Sequence, residues 1–349
     1  MTGRISFPWR RAAGRLIFAC ACFSLLSARA LAAHDRIRIQ PRFQPGDTLY
    51  YQIEMHTVST GKTTTPIVNP DGGTKFSESV DLLVRLDVLP VAGASAENVR
   101  PRTADAVPVR LRVTYLRAHA DSQTDAPAFD ASSAGSEYDR LAGHSFEFTL
   151  EPGGGIANFE DVDNVLPKSS NPEQAVSWMK NLASGSEFPR RGIALGQKWS
   201  NEKPLTSAPL AGLVWRSDST YLRNETCSPP SAMPDAKAHA GAAAGQCAVI
   251  LTEFQILERG SKRSQETPPD YLHHGLRTSG TITGSGESLD SISLATGLLA
   301  SSTQSSTQNA DFSITSAADG ESIHRVGQVQ TQTNIKQVSA PPPAAAARP

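Results

Sequence analysis

Apolar and polar residues alternate with a period of two along much of this chain, which is the pattern of strands with one buried face. The clearest run is Val80, Leu82, Val84, Leu86 and Val88, with Asp81, Arg85 and Asp87 between them. Val109, Leu111, Val113 and Tyr115 repeat it against Arg110, Arg112 and Thr114. A branched apolar face backed by a charged one predicts that both runs lie in one antiparallel sheet. Further strands are predicted at 49–58, where Leu49, Tyr51, Ile53 and Met55 share a face, and at 145–150, where Phe146, Phe148 and Leu150 do. The second runs through Glu151-Pro152-Gly153-Gly154-Gly155 into 156–159, a hairpin signal.

The alternation resumes over 213–222, 247–257, 277–283, 287–294, 298–307, 312–315 and 326–335. Ser, Thr and Gln fill many of its outward positions, as in Ser301 to Gln308, so these strands are expected to face water. They are also expected to offer an exposed edge to a partner chain. One helix is predicted over 171–185, with Asn171 as N-cap, Pro172 in the first turn, Ala175, Met179 and Leu182 at helical spacing, and Gly185 at the end. The fold class expected is therefore mainly β: a large curved antiparallel sheet or half-open barrel with one or two covering helices.

A single β-rich domain is expected over 34–338, built as one sheet or as two similar halves, 40–165 and 190–338, joined by the helical segment. The halves open on related phrases, Pro45-Gly46-Asp47-Thr48-Leu49 and Leu195-Gly196-Gln197-Lys198-Trp199. The Pro- and Ala-rich residues 339–349 are expected to form a disordered tail.

The N-terminus changes the picture of where this domain works. Arg4, Arg10, Arg11 and Arg15 precede an apolar run from Leu16 to Leu26 and a small-residue stretch from Ala28 to Ala33, the order of a secretory signal. That run is shorter than the roughly 20 residues a membrane span requires, so no retained transmembrane helix is expected. Cleavage near Ala32 or Ala33 would place the protein in the periplasm or outside the cell. It would also remove five arginines and no acid, leaving 28 basic against 34 acidic residues. A mildly acidic chain has no electrostatic footprint for nucleic acid. Of the four cysteines, Cys227 and Cys247 remain in the mature chain, and their spacing suits a disulfide across a long hairpin rather than a zinc or redox motif.

No segment carries a recognisable catalytic signature. Gly284-Ser285-Gly286-Glu287-Ser288 has the wrong order for a nucleophile elbow and reads as a turn between strands. The triple glycine at 153–155 lacks the context of a phosphate loop. Glu160, Asp161, Asp163 and Asn164 could ligate calcium but lack the full loop spacing. Adjacent His273 and His274 would point to opposite faces of a strand, so they do not suit one metal, and they read as surface loop histidines. A free terminal His34, left by cleavage after Ala33, would be similar to the copper-binding terminus of lytic polysaccharide monooxygenases, with His56, His119 or His144 as partner; the alternative cleavage frame argues against it. Neither a metal nor a cofactor is expected, and catalysis is less expected than binding.

The Pro-Gly-Asp turn, the charged alternating strands, Phe146 to Asn158, Gly196-Gln197-Lys198-Trp199, and the run from Ser279-Gly280-Thr281 to Gly297-Leu298 together resemble a group of secreted bacterial β-rich proteins classed as a domain of unknown function. The likeness covers about residues 40–337 and implies no activity. In plan the chain also resembles the curved sheets of periplasmic lipoprotein carriers, a comparison at fold level alone. The function expected is that of a non-enzymatic envelope protein binding an apolar or lipid-like ligand on a concave sheet face lined by Tyr51, Val84, Leu111, Phe146 and Phe148. The alternatives are a structural or protein-interaction module of the envelope, and an unrecognised glycan or peptide hydrolase.

Overall fold

The computed structural model describes residues 36–64, 73–90, 108–125, 138–151, 156–161, 165, 188–205, 208–227, 245–259 and 267–340. The signal segment, the helix expected over 171–185 and the tail from 341 onward lie outside the described residues. The first meander comprises β1 (Thr48–Thr64), β2 (Thr74–Leu89), β3 (Val109–Thr124), β4 (Ser145–Leu150) and β5 (Ile156–Glu160). The second comprises β6 (Lys198–Pro204), β7 (Leu213–Thr226), β8 (Gln246–Glu258), β9 (Leu276–Ser293), β10 (Leu299–Ser316) and β11 (Ser322–Val338). Among the described residues one short helix, α1 (Pro269–His273), follows β8.

All eleven strands form one sheet in the order β5-β4-β3-β2-β1-β11-β10-β9-β8-β7-β6. Every pairing is antiparallel. The expected mainly β fold with a large antiparallel sheet is what forms, and the sheet does not close into a barrel. The two edge strands, β5 and β6, run the same way. Between them in sequence, Val165 and Phe188 join the core.

The alternation read from the sequence sorts the two faces. Tyr51, Ile53, Val80, Leu82, Val84, Leu86, Val88, Leu111, Val113, Phe146 and Phe148 point inward and are buried. Opposite them Arg85 pairs with Asp87, and Arg117 with Asp81, on the outer face. The same inner cluster includes Tyr221 of β7 and Ile250 of β8. On a flat sheet β4 and β7 would stand roughly 38 Å apart at the usual strand spacing of about 4.8 Å. One shared cluster therefore requires a strongly curved sheet.

Three bulges supply part of that curvature. The register shifts leave Leu116 on β3, Leu222 on β7 and Ala300 on β10 without a direct partner. Each lies near the end of the sheet where the core sits. The segment 36–44 closes that end: Ile37 and Ile193 exchange backbone hydrogen bonds of 2.9 and 2.8 Å, and Arg42 donates its N–H to the Thr296 carbonyl at 2.7 Å. Gly297, at φ 70°, is required there, since a β-carbon on it would stand 1.9 Å from the Gln40 carbonyl oxygen.

Three sequence expectations are corrected. The runs 277–283 and 287–294 are one strand, β9, and Gly284-Ser285-Gly286 lies inside it rather than at a turn. The runs 298–307 and 312–315 are likewise one strand, β10. The polar strands β9 to β11 sit in the middle of the sheet, paired on both sides, and the edges belong to the short strands β5 and β6. His273 and His274, expected on the surface, are exposed at the end of α1.

Candidate functional site

The five residues expected to line a ligand site are consumed by packing. Tyr51, Leu111 and Phe148 have no exposed surface, and Val84 and Phe146 have almost none. Burying side chains of this size is worth about 1.5–3 kcal/mol each, so they are the foundation of the fold. Phe146 stacks on Phe148 at 6.1 Å and meets Tyr115 at 6.4 Å, and the Tyr51 hydroxyl donates to the Leu299 carbonyl at 3.1 Å. Burial pushes the Tyr51 and Tyr115 phenols well above their ordinary pKa, which keeps both neutral.

Beyond this core the inner face changes character twice. First comes a polar belt of Ser, Thr and Gln that carries two carboxylates without a cationic partner. Asp290 accepts from Ser302 at 2.6 Å and from Ser288 at 3.2 Å, and desolvation outweighs those bonds and raises its pKa. Glu78, accepting from Ser122 at 3.3 Å, is raised for the same reason. Further out lies a second apolar area. Leu210, Leu213, Ala208 and Ile256 form a small core with Trp215, Ile282 and Phe312 against it. Beside Phe312 on the same face stand Ile314 and its cross-strand partner Ile323, with Val329 two rows nearer the belt. Ile323 and Val329 are 41% and 38% exposed.

The outer face is mostly polar, with Leu251, Leu289 and Val326 among its apolar residues, and carries two grooves. One, of about 560 Å³, crosses β7 to β11 and is lined by Asp218, Glu253, Gln255, Glu287, Ser305 and Gln332, among others. The second, of about 490 Å³, crosses β11 to β3 and is lined by Glu54, His56, Ser79, Asp81, His119 and Asp121, again with Gln332. The register sets them on opposite sides of one row of outward side chains that includes Gln332. Asp218, Glu253 and Glu287 are successive cross-strand partners, and the row continues through Ser305 and Gln332 to His56, Ser79 and Asp121. No Lys or Arg lines either groove.

In the second groove His56 Nδ1 lies 3.0 Å from Ser79 Oγ. This is the one arrangement with a hydrolytic flavour, and it lacks the remaining parts. The residues are directly opposed in a ladder, so the backbone N–H groups around them are committed to strand pairing and leave no oxyanion hole. Among the described residues no carboxylate is hydrogen-bonded to His56; Glu54 on its strand accepts from Gln52. His119 is raised in pKa by its hydrogen bond to Asp139 and the charge of Asp121. Asp218 is held low by Arg216 and Ser200. Among the described residues no group of three His, Cys, Asp or Glu side chains is placed to hold a metal ion. Of the calcium candidates, Glu160 pairs with Arg110, and Asp163 and Asn164 lie outside the described residues, as does His34.

Cys227 and Cys247 form a disulfide with Cα atoms 4.9 Å apart, joining the end of β7 to the start of β8. A disulfide belongs to an oxidising compartment and is compatible with export. Among the described residues no helix is long and apolar enough to cross a membrane.

The grooves were missed by sequence reading because their residues come from eight separate strands, and only the register brings them together. No family model and no curated protein sequence matches the chain. Among solved structures, a lipovitellin described for its lipid–protein interactions matches at 11% identity and a TM-score of 0.39, over 88% of this chain and 27% of that one. The outer membrane protein OprG from Pseudomonas aeruginosa matches at 8% identity and a TM-score of 0.16, over 86% of this chain and 99% of that one. The chain thus spans about a quarter of the length of the lipovitellin it matches. Scores this low carry no functional weight, and what stands of the family resemblance is a β-rich architecture.

Proposed function

We propose that this is an exported, non-catalytic binding protein of the cell envelope whose curved sheet holds the apolar part of an amphiphilic ligand at the open end of its inner face. The observation that carries the reading is the division of that face. Its closed end is filled by a packed core, whereas Ile314, Ile323 and Val329 at the other end present partly exposed apolar side chains on the inner side of a curved sheet, with Arg325 on the same face between Ile323 and Val329. Leu289 and Val326 are as exposed on the outer face, but Ile323 and Val329 lie on the concave side, where apolar surface can enclose a ligand. The site lies on β10 and β11, not on the core residues that alternation alone would nominate. The disulfide supports the export part of the reading.

The test is native mass spectrometry of the mature chain purified from an envelope fraction, paired with titration of the delipidated protein by a fluorescent long-chain fatty acid. Saturable binding that Ile323→Asp and Val329→Asp each abolish, with the disulfide intact, supports the site. Binding that is absent, or indifferent to both substitutions, overturns it.

A further inference from the structure

Resting on the reading of the open inner end as a ligand site, we infer that Thr278 and Arg325 together bind an oxyanion, a carboxylate or a phosphate, as the head of the amphiphile. The register places them. Thr278 on β9 faces Ile314 on β10, which faces Ile323 on β11, and Arg325 follows Ile323 by two residues on the same face. Two strand spacings put Thr278 and Ile323 about 10 Å apart, and a two-residue step of about 7 Å leads on to Arg325. Ile314 and Phe312 form the apolar surface between the two polar groups.

Each group lacks a partner. Thr278 is only 5% exposed, and its hydroxyl oxygen has no hydrogen-bond partner. The neighbouring hydroxyl, that of Thr267, is spent on the Thr278 backbone: it accepts from the N–H at 2.9 Å and donates to the carbonyl at 3.5 Å. Buried polar groups are rarely left unpaired. A ligand oxygen lying against Ile314 would complete this one, and hydrogen bonds to ionised oxygen are the stronger kind.

Arg325 supplies the charge. On the outer face Arg85, Arg112, Arg117 and Arg216 each pair with a carboxylate. Arg325 instead stands exposed on the inner face and makes no ion pair or hydrogen bond among the described residues. Carboxylates of inward parity at this end stand off from it: Glu258, opposite Leu213, is three strands away, and Glu321 lies at the turn on the far side of Ile323. An uncharged head would leave the guanidinium unpaired, and a cationic one would be repelled. Next to Arg325 the row Ala310, Gly327 and Gly61 carries nothing larger than a methyl group, so an acyl chain can lie flat there against Val329.

The experiment uses the full mature chain, delipidated and with its disulfide formed. An uncharged fluorescent probe, N-phenylnaphthylamine, reports the apolar site whatever the head group, and Ile323→Asp should abolish its binding. Decanoate, decyl phosphate and decanol then compete with the probe at mildly alkaline pH and low salt. At least one anion should displace it at a concentration about tenfold or more below that of decanol, and the tighter anion names the head. Arg325→Gln should erase most of that preference while leaving decanol within about twofold of its wild-type value. Thr278→Val keeps the branched shape, and should weaken the anions severalfold without lowering the melting temperature, since it deletes a hydroxyl that bonds to nothing in the free protein. Arg277→Gln, on the outer face of the same strand, should change nothing. Decanol that competes as well as both anions, or a preference that survives Arg325→Gln, overturns the head-group assignment while the apolar site stands. A protein that binds neither probe nor competitor, or a probe indifferent to Ile323→Asp, overturns the apolar site and the head-group assignment with it.

Discussion

The ring of Phe254 on β8 lies over the backbone of Gly286 on β9, with its Cε2 and Cζ only 2.4 and 2.5 Å from where a β-carbon at 286 would stand. Glycine is therefore needed for close approach of a neighbouring side chain in mid-strand, not for a turn. Trp215 stacks on the same ring at 4.9 Å, so moving Phe254 would disturb that pair. Gly286→Val is expected to destabilise the protein by about 2–3 kcal/mol through overpacking. Adding Phe254→Ala should recover part of that loss. Urea denaturation of the single and double variants checks both, and additive losses would refute the contact.

The disulfide closes the hairpin whose connection covers 228–244. Reduction, or the double substitution of Cys227 and Cys247 by Ser, is expected to cost about 3 kcal/mol in the chain-entropy account. Thermal melts with and without reductant measure it.

Asp290 provides a test by pH. Its folded-state pKa is raised by desolvation, so the unfolded chain releases the proton first as pH rises, and stability declines from the unfolded value near pH 4 up to the folded pKa. Asp290→Asn keeps an acceptor for Ser302 and Ser288 and removes this decline. The melting temperature of the variant minus that of the wild type should grow with pH above about 4 and then level off. A difference that stays flat across the acid range would show that Asp290 is not held in a desolvated site.

Glu147 sits on the outer face of β4 between Arg110 and Arg112, 2.7 Å from a guanidinium nitrogen of each, and is only 8% exposed. Glu147→Ala should cost about 1.5–3 kcal/mol, the range for hydrogen bonds to charged groups. Equilibrium unfolding gives the value, and a change below about 0.5 kcal/mol, within the surface-substitution range, would place the pair in the weak class.

The equivalent turns at Gly46 and Gly196 show how far short phrases can be read. Gly46 donates to the Val88 carbonyl and Gly196 to that of Tyr221; Asp47 Oδ2 accepts from the Gln44 N–H and Gln197 Oε1 from that of Ala194. Both glycines have positive φ, 93° and 75°. The shared phrase thus corresponds to a shared strand-initiating turn, one before β1 and one before β6.

What the sequence by itself determined is local. Alternation placed Tyr51, Val84, Leu111, Phe146 and Phe148 on the buried side, because a strand's faces follow directly from residue parity. The pairing of Cys227 with Cys247 was also legible, since few alternatives exist for two cysteines. Parity fails wherever a bulge inserts a residue: after Leu116 the inward positions of β3 become Ala118 and Ala120, and no local signal marks the change. Only the tertiary structure decided that the aromatic face is core rather than cavity, that the polar strands lie mid-sheet rather than at an edge, and that Glu253 and Glu287 stand opposed. These are facts of register and curvature, set by pairing between residues far apart in the chain, and a one-dimensional pattern does not contain them.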